Sequence, residues 1–283
     1  MEVQKVGDIS YDEFIKEFYL PGIPVVFKNA SKVWKANGLF TPDYFRKNFG
    51  ERKTVVKGKD YTMSELLDSV ESSSVENPAP YPIKYNIQDV LPEIVPLITP
   101  QGMKYAEPNY FQSKFFPSVV IGSATELFLG GPGGKFPVVH LDYYHTNAWV
   151  TQLYGDKNFT VFPPGQDELL YPKPHNPWES DVNIFEPDYE KFPKYRNATP
   201  ITVTIKQGET IFVPAGTWHT AESLTPSISV IFDQINSKNY DQYIKDVWNE
   251  KKKKNPVKAL AILVYLNMIR LFLPTVKPHS ATN

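Results

Sequence analysis

The clearest pattern in this chain is a series of short apolar runs that begins near Phe116 and is interrupted by glycine, proline and asparagine. Many short β-type runs separated by turn residues favour a sandwich or a barrel. The predicted strands are SVVIGS, TELFLG, FPVVHLD, AWVTQLY, NFTVF, ITVTI, TIFVP and ISVIFD. The stretch between Pro163 and Pro200 is rich in proline and aromatic residues. A loop of that length is often functional, so it is a candidate lid, with packing against the barrel as the alternative.

Helical patterns flank this β-rich region. YDEFIKEFYL has apolar positions at helical spacing, IPVVF reads as a buried strand, and a second helix is predicted from Pro42 to Asn48. TMSELLDSV opens with Thr62 and has Glu65 three residues later, which is a capping box. From Tyr240 the pattern is helical again. We therefore divide the chain into an N-terminal α/β extension packed on the barrel (1–110), the barrel (111–236) and a C-terminal helical segment (237–283).

One C-terminal segment is strongly apolar. The run Ala259–Leu273 follows four lysines, Lys251–Lys254, and contains Asn267 and Arg270. A membrane-spanning helix needs about 20 apolar residues, and this run is shorter. A packing or dimerisation helix is the favoured interpretation, and a helix lying on a membrane surface is the alternative.

Composition narrows the classes of function. There are 30 Lys+Arg against 31 Asp+Glu, a net charge of −1, which gives no electrostatic signature for nucleic acid. The absence of cysteine excludes disulfides, thiolate metal sites and a cysteine nucleophile. The N-terminal residues have no apolar core of the kind that signal peptides carry, so we expect a cytoplasmic protein.

Two histidines and an aspartate form the most informative chemical pattern. In FPVVHLD, His140 and Asp142 stand two residues apart on a predicted strand, so both side chains should point to one face. His219, in GETIFVPAGTWHT, stands near the entry to a later strand. Two histidines and a carboxylate with open positions opposite form the facial triad of non-haem Fe(II) oxygenases, and the same ligands also suit catalytic zinc.

Lys157 is the next informative residue. In KNFTV it shares a strand face with Phe159 and Val161, and that apolar face is expected to point inward. An inward lysine is unfavourable without an anionic partner. Either Lys157 holds the carboxylate of a cosubstrate, or it lies at a strand end and extends its ammonium group to water.

Taken together, these motifs resemble those of JmjC-type, cupin-like oxygenases that depend on Fe(II) and 2-oxoglutarate. The resemblance covers about residues 10–235, and the nearest likeness is to asparaginyl hydroxylases that act on hypoxia-inducible factor. It rests on His140-Leu-Asp142, Asn147-x-Trp149, Gly155-x-Lys157, Phe162-Pro-Pro and Gly208-Glu through Trp218-His219.

The resemblance implies a fold, a ligand set and a chemistry. The fold would be a double-stranded β-helix, a jelly-roll barrel that is mainly β with flanking helices. His140, Asp142 and His219 would bind Fe(II), and Lys157 would pair with the distal carboxylate of 2-oxoglutarate. Asn147 and Tyr85 match positions that line the cosubstrate pocket, and O₂ is the second cosubstrate.

The chain departs from the asparaginyl hydroxylase pattern at several positions. Pro137 replaces a threonine, Asp233 an asparagine and Ile235 a tryptophan. The cosubstrate contacts and the substrate therefore do not carry over from that likeness.

The predicted function is a dioxygenase that hydroxylates a protein or peptide side chain and releases succinate and CO₂. Alternatives are a hydroxylase of a small molecule or nucleoside, a non-catalytic metal-binding cupin module and a zinc hydrolase. The resemblance also implies a homodimer through the C-terminal helices. His145 is expected either to support the metal ligands or to face the substrate, and the alternative is a structural role. His175 and His279 are expected at the surface.

Overall fold

A computed structural model describes residues 2–99, 103–116 and 125–276 of the chain. Its strands are β1 (Gln4–Val6), β2 (Val25–Phe27), β3 (Lys53–Val56), β4 (Lys59–Thr62), β5 (Ile83–Asn86), β6 (Thr125–Gly130), β7 (Asn147–Tyr154), β8 (Lys157–Val161), β9 (Pro172–Lys173), β10 (Asn176–Ser180), β11 (Ile201–Ile205), β12 (Thr210–Val213), β13 (His219–Ser223) and β14 (Ser227–Gln234). Its α-helices are α1 (Tyr11–Phe14), α2 (Pro42–Phe49), α3 (Met63–Glu71), α4 (Ile87–Val90), α5 (Tyr240–Lys254) and α6 (Pro256–Ile269). Shorter helical turns are the π-turn Ile15–Tyr19 and the 3₁₀ turns Pro92–Leu97, Tyr110–Gln112, Tyr143–His145, Asp167–Leu169, Pro193–Asn197 and Arg270–Phe272.

Two facing sheets form the barrel. The larger has seven strands in the order β1-β2-β12-β7-β14-β6-β5, and the smaller has three in the order β11-β8-β13. Apolar side chains from both sheets meet between them, among them Val150 and Ile211 from the larger sheet and Phe159 and Ala221 from the smaller. This arrangement confirms the predicted jelly-roll fold with flanking helices.

The outer face of the larger sheet packs against the N-terminal helices. Phe14 makes edge contacts with Phe27 and Phe212, at ring-centroid distances of 5.4 and 5.2 Å, and Trp149 lies beside them. The N-terminal region also supplies β1, β2 and β5 to the two edges of the same sheet. The division of the chain at 110 and 236 stays a prediction.

Several local predictions are confirmed by the helix boundaries. The helix over Pro42–Phe49 begins after Thr41, whose side chain accepts the Tyr44 N–H. Thr62 and Glu65 form the predicted capping box at the start of α3. These capping bonds satisfy backbone donors that the first turn leaves free.

The strand predicted over FPVVHLD is wrong. The backbone pairs only at isolated bridges, His140 with His219 and His140 with Glu179. Pro137 has no N–H to donate to a ladder, and a 3₁₀ turn begins at Tyr143, so no continuous strand forms. The predicted strand SVVIGS lies outside the described residues.

Between residues 163 and 200 the chain packs as a fixed wall beside this segment. Leu170, Val182, Phe192 and Tyr195 are buried against Trp218. The Leu141 N–H donates to the Trp178 carbonyl at 2.8 Å, and the Ser180 N–H donates to the Val139 carbonyl at 2.8 Å. The structure therefore shows the 163–200 segment packed against the barrel, which was the alternative to a lid. Closure of this segment over the site stays a prediction.

The C-terminal helices α5 and α6 pack together over a small apolar cluster that includes Phe116, Tyr243 and Leu266. The outer face of α6 leaves apolar side chains exposed, namely Val257, Leu260, Val264 and Met268. In the described parts of the chain, no helix is long and apolar enough to cross a membrane.

Candidate metal centre and its cavity

Reciprocal backbone hydrogen bonds hold His140 and His219 opposite each other. Each N–H donates to the other residue's carbonyl at 2.9 Å, and the two imidazole rings lie 4.4 Å apart. The Nδ1–H of His219 donates to the Thr217 carbonyl at 2.9 Å, and that of His140 makes a longer bond of 3.4 Å to the Val138 carbonyl. Nδ1 is occupied in both rings, so the Nε2 lone pairs are available to a metal.

Asp142 completes the group. One carboxylate oxygen lies 3.8 Å from His219 Nε2, and the three candidate ligand atoms are all within 4.8 Å of one another. This fits one ion, because metal–ligand bonds of about 2 Å place ligand atoms roughly 3–4 Å apart. The sequence-predicted metal ligands are therefore brought together.

Burial shapes the electrostatics of these ligands. It lowers the pKa of His140 to about 3, with a further contribution from the neighbouring His219, so His140 is neutral. Burial also raises the pKa of Asp142, an effect that the neighbouring His219 opposes. A bound dication would stabilise the carboxylate form, so this donor set suits a metal better than it suits an empty site.

A cavity of about 370 Å³ opens beside the three ligands. Its walls are mostly apolar and aromatic, with a few charged side chains among them. The lining includes Tyr81, Lys84, Glu126, Phe128, Phe136, Val138, His140, Asp142, Tyr143, Tyr144, Ala148, Val150, Lys157, Phe159, Glu179, His219, Ala221, Ile231 and Asp233.

Lys157 lies inside this cavity. Its side chain is 1% exposed, which rules out the alternative in which the ammonium group reaches water. Nζ donates to Ser229 Oγ at 2.9 Å, Ser229 Oγ donates to Gln152 Oε1 at 2.7 Å, and the described part of the chain offers Lys157 no ion pair. Burial lowers the pKa of Lys157 to about 7. A buried cation without a counter-ion, facing the cavity that holds the metal ligands, fits a carboxylate-bearing cosubstrate.

Asn147 and Tyr85 do not line the cavity. Strand alternation turns Ala148 and Val150 inward on β7, so Asn147 faces the other way. Its side-chain oxygen accepts the Ala215 N–H at 2.9 Å, and its amide donates to Tyr19 and Gln234. This supports the turn that leads to His219.

On β5, Tyr85 is buried in the core under the N-terminal helices, and its hydroxyl has no hydrogen-bond partner among the described residues. Lys84, the preceding residue, faces the cavity instead. Direct contact of Asn147 or Tyr85 with a cosubstrate is therefore not what this geometry favours.

Three residues at or beside the cavity had no role predicted from the sequence: Tyr81 and Asp233 line it, and Ser229 accepts a hydrogen bond from Lys157. Tyr81 lies next to Lys157, whose Nζ is 5.8 Å from the tyrosine ring centre. Ser229 and Asp233 share the inward parity of Ile231 in ISVIFD, so alternation on that strand was a usable signal. Tyr81 had none, because it precedes the strand that begins at Ile83.

Asp233 stands out chemically among these three. Its carboxylate accepts a hydrogen bond from Thr146 Oγ1 at 3.3 Å. Burial raises the pKa of Asp233 to about 8, with further contributions from the nearby carboxylates of Asp142 and Glu126. This is the position at which the resemblance has an asparagine.

The remaining histidines lie outside the ligand group. His145 Nδ1 pairs with Asp246 on α5 at 2.7 Å. His175 is exposed as predicted, and His279 lies outside the described residues.

Comparison with known families agrees with this geometry. A family model described as a cupin-like domain matches residues 11–237. The match covers the barrel, all three metal-ligand candidates and Lys157. The chain therefore belongs to the cupin-like domain family, which confirms the family resemblance seen in the motifs.

Individual relatives carry more specific names. Lysine-specific demethylase JMJ21 of Arabidopsis thaliana is 28% identical over 84% of this chain and 26% of its own length. Arginine-specific demethylase JMJ22 of the same plant is 26% identical over 81% of this chain and 45% of its own length. HSPB1-associated protein 1 homolog of Danio rerio is 31% identical over 72% of this chain and 49% of its own length.

This chain thus spans less than half of these relatives. The two plant relatives are named as demethylases, one of lysine and one of arginine. The likeness to an asparaginyl hydroxylase of hypoxia-inducible factor stays a prediction.

Proposed function

We propose that this protein is an Fe(II)- and 2-oxoglutarate-dependent dioxygenase that hydroxylates a protein or peptide side chain. One observation carries the proposal: a two-histidine, one-carboxylate group and a buried, unpaired lysine face the same cavity. A zinc hydrolase would use the same ligands but leave Lys157 without a role. The family match and the JmjC-type relatives support the same class of chemistry.

The chain's own residues have distinct roles in this proposal. His140, Asp142 and His219 would hold Fe(II), and Lys157 would hold the distal carboxylate of 2-oxoglutarate. When bound, the metal and cosubstrate supply oxidation of a C–H bond by O₂, with succinate and CO₂ as co-products. Apolar walls such as Phe136, Phe159 and Ala221 exclude water from the reacting atoms.

The size of the cavity favours a substrate that inserts only a side chain. Pockets that enclose whole small molecules measure about 300–1,000 Å³. At about 370 Å³ this cavity is at the lower end of that range, and the cosubstrate takes part of it. Tyr143, which lines the cavity and is 52% exposed, marks the side from which a peptide would approach.

Removal of an N-methyl group is a second candidate, which the names of the two plant relatives favour. The chemistry differs only in its last step. Hydroxylation of an N-methyl carbon gives a product whose C–N bond breaks to release formaldehyde, whereas hydroxylation of any other carbon leaves the oxygen on the substrate.

One experiment separates these candidates. The protein is incubated with Fe(II), 2-oxoglutarate and a peptide library that contains methylated and unmodified lysine and arginine. Succinate, formaldehyde and peptide mass are measured, with Asp142→Ala as the blank. We expect succinate with either an added oxygen on a peptide or formaldehyde.

Other results identify the alternatives. Succinate that rises only with nucleosides or small molecules would replace the peptide substrate. Bound metal without any succinate would favour a non-catalytic cupin module, and this outcome would overturn the proposal.

A further inference from the structure

The loop that follows Asp142 has an unusual backbone. Tyr144 and His145 both lie in the left-handed region, at φ of 59° and 51°. Residues other than glycine rarely adopt this backbone conformation. Two such residues in succession persist only where surrounding contacts hold them. Contacts from outside the loop must therefore hold Tyr143–His145, the three residues that directly follow the metal-ligand candidate Asp142.

The contacts that hold the loop come chiefly from α5. His145 Nδ1–H donates to Asp246 Oδ2 at 2.7 Å, and Gln242 Nε2 donates to the other carboxylate oxygen at 2.9 Å. The side-chain amide of Asn239 donates to the His145 carbonyl at 2.8 Å. Asp246 is only 7% exposed, so its bond to His145 is shielded from water.

Aromatic side chains hold the loop from two directions. The ring of Tyr144 lies 6.2 Å from that of Tyr243 on α5. On the other side, the Trp178 ring lies 5.1 Å from His145. The loop is thus packed between α5 and the wall formed by residues 163–200.

The carboxylate of Asp142 has no comparable support of its own. Within the described part of the chain it accepts no hydrogen bond, and its ion-pair partner His219 Nε2 lies 3.8 Å away. Metal-binding carboxylates are ordinarily held by hydrogen bonds from groups behind them. Here the direction of the carboxylate depends on the backbone that leads into the Tyr143–His145 turn.

We propose that Asp246 is a positioning residue that aims the Asp142 carboxylate at the metal by holding His145. The inference rests on the proposed function, because it assumes that Asp142 binds a metal. Asp246 lies on a helix that starts at Tyr240, beyond the residues 11–237 that the family model matches. The C-terminal helices would therefore complete a metal site whose ligands all belong to the family domain.

The test uses the full chain and Co(II), whose visible absorption reports coordination geometry without turnover. Co(II) affinity and spectrum are compared in the wild type, Asp142→Ala, Asp246→Ala, Asp246→Asn and His145→Gln. The matched control is Asp241→Ala, because Asp241 is also an α5 carboxylate but pairs with Arg270, away from the loop. Thermal unfolding of each metal-free variant identifies any that do not fold.

The expected result is specific. Asp246→Ala and His145→Gln weaken Co(II) binding about ten- to hundredfold and alter the spectrum, as loss of partners behind metal ligands does. Asp246→Asn, whose amide oxygen still accepts the His145 N–H, retains most of the affinity. Asp241→Ala binds Co(II) with wild-type affinity and an unchanged spectrum.

Two results would overturn the proposal in different ways. If the wild type binds no Co(II), or Asp142→Ala binds it equally well, the metal site itself is wrong and the role of Asp246 fails with it. If only Asp142→Ala loses affinity, while Asp246→Ala keeps the wild-type affinity and spectrum, the metal site stands and Asp246 is not a positioning residue. A lower unfolding temperature without a change in Co(II) binding counts as this second result.

Discussion

Two parts of the same cavity are built in different ways. Lys157 lies on β8, which pairs with β11 on one side and β13 on the other, so strand alternation alone turns it inward. His140 and Asp142 lie on a segment that pairs only at isolated bridges and then enters a left-handed turn. In the proposed function the barrel would thus anchor one end of a cosubstrate through a regular strand, whereas the metal end would depend on irregular backbone held by neighbouring segments.

This difference predicts where the site is sensitive. At the Lys157 end, a change should act through the side chain alone, because two neighbouring strands hold the backbone. At the Asp142 end, contacts with α5 and the 163–200 wall should also affect the site, because no continuous ladder fixes the chain there.

The largest effect is expected at the metal end. Asp142→Ala removes the carboxylate from the three-ligand group and should lower 2-oxoglutarate turnover by about a hundredfold or more, beyond the effect of losing an outer partner. Succinate formation and Fe(II) affinity measure it. Glu190→Gln, at an exposed acidic residue, is the control, and full turnover by Asp142→Ala would show that the ligand group is misassigned.

Loss of Lys157 should weaken cosubstrate binding but make the ligand-free protein more stable. Lys157→Met removes a buried cation that has no ion pair in the described part of the chain, so the KM for 2-oxoglutarate should rise at least about tenfold, as expected from losing a charge-assisted hydrogen bond. The ligand-free protein should become more stable by about 1 kcal/mol. Cosubstrate titration and thermal unfolding test both, and an unchanged KM would refute the anchor role.

The affinity for 2-oxoglutarate should fall as pH rises above about 7. Burial lowers the pKa of Lys157 to about 7, and the cosubstrate carboxylate needs the charged form. Binding should therefore raise this pKa and take up a proton, which calorimetry detects in buffers of different ionisation enthalpy. The loss should approach about tenfold per pH unit and should be absent in Lys157→Met.

The same pKa sets the sign of the effect on stability. The unfolded chain, with a lysine pKa near 10.5, binds more protons than the folded chain between pH 7 and 10.5. Stability of the ligand-free protein attributable to Lys157 therefore rises with pH across this window. A flat or opposite dependence relative to Lys157→Met would contradict the buried-cation account.

Two tyrosines offer a smaller, matched test. Tyr81→Phe removes the hydroxyl of a cavity-lining residue beside Lys157. If that hydroxyl bonds the cosubstrate, losing one hydrogen bond of roughly 1 kcal/mol should raise the KM for 2-oxoglutarate about fivefold. Tyr85→Phe removes a buried hydroxyl that lies outside the cavity and has no hydrogen-bond partner among the described residues, so KM should stay unchanged. The reverse ranking would restore Tyr85 to the cosubstrate pocket.

The smallest effect on catalysis is expected at α6. We propose that its exposed apolar face contacts a second copy of the chain, since exposed apolar patches of this kind mark contact surfaces. Substitution of both Leu260 and Val264 by aspartate should convert a dimer to a monomer by light scattering, with turnover changed less than about twofold. A wild-type protein that is already monomeric would refute the dimer.

Periodicity predicted the regular parts of the site and failed at the irregular ones. Lys157 follows from alternation along a strand that does form. His140 and Asp142 were identified by their chemistry, although the strand invoked to align them is absent. On β7, Ala148 holds the inward position and Asn147 the opposite one, so contact of Asn147 with a cosubstrate stays a prediction.

The remaining features depend on contacts between residues far apart in the chain. The hydrogen bond from His145 to Asp246 joins residues 101 positions apart, so no local sequence pattern predicts it. Tyr81 enters the cavity from a segment without regular structure. Such features follow from tertiary packing, which a single sequence does not reveal.

In the proposed function, the three metal-ligand candidates and Lys157 together bind iron and 2-oxoglutarate in one cavity. The most direct test is anaerobic addition of Fe(II) and then 2-oxoglutarate to metal-free protein, with the visible charge-transfer absorption recorded. This assignment of the site predicts a band in the wild type, no band in Asp142→Ala, and in Lys157→Met a band that needs more 2-oxoglutarate to appear. Iron that binds without producing any band, or a band that survives the loss of Asp142, would contradict it.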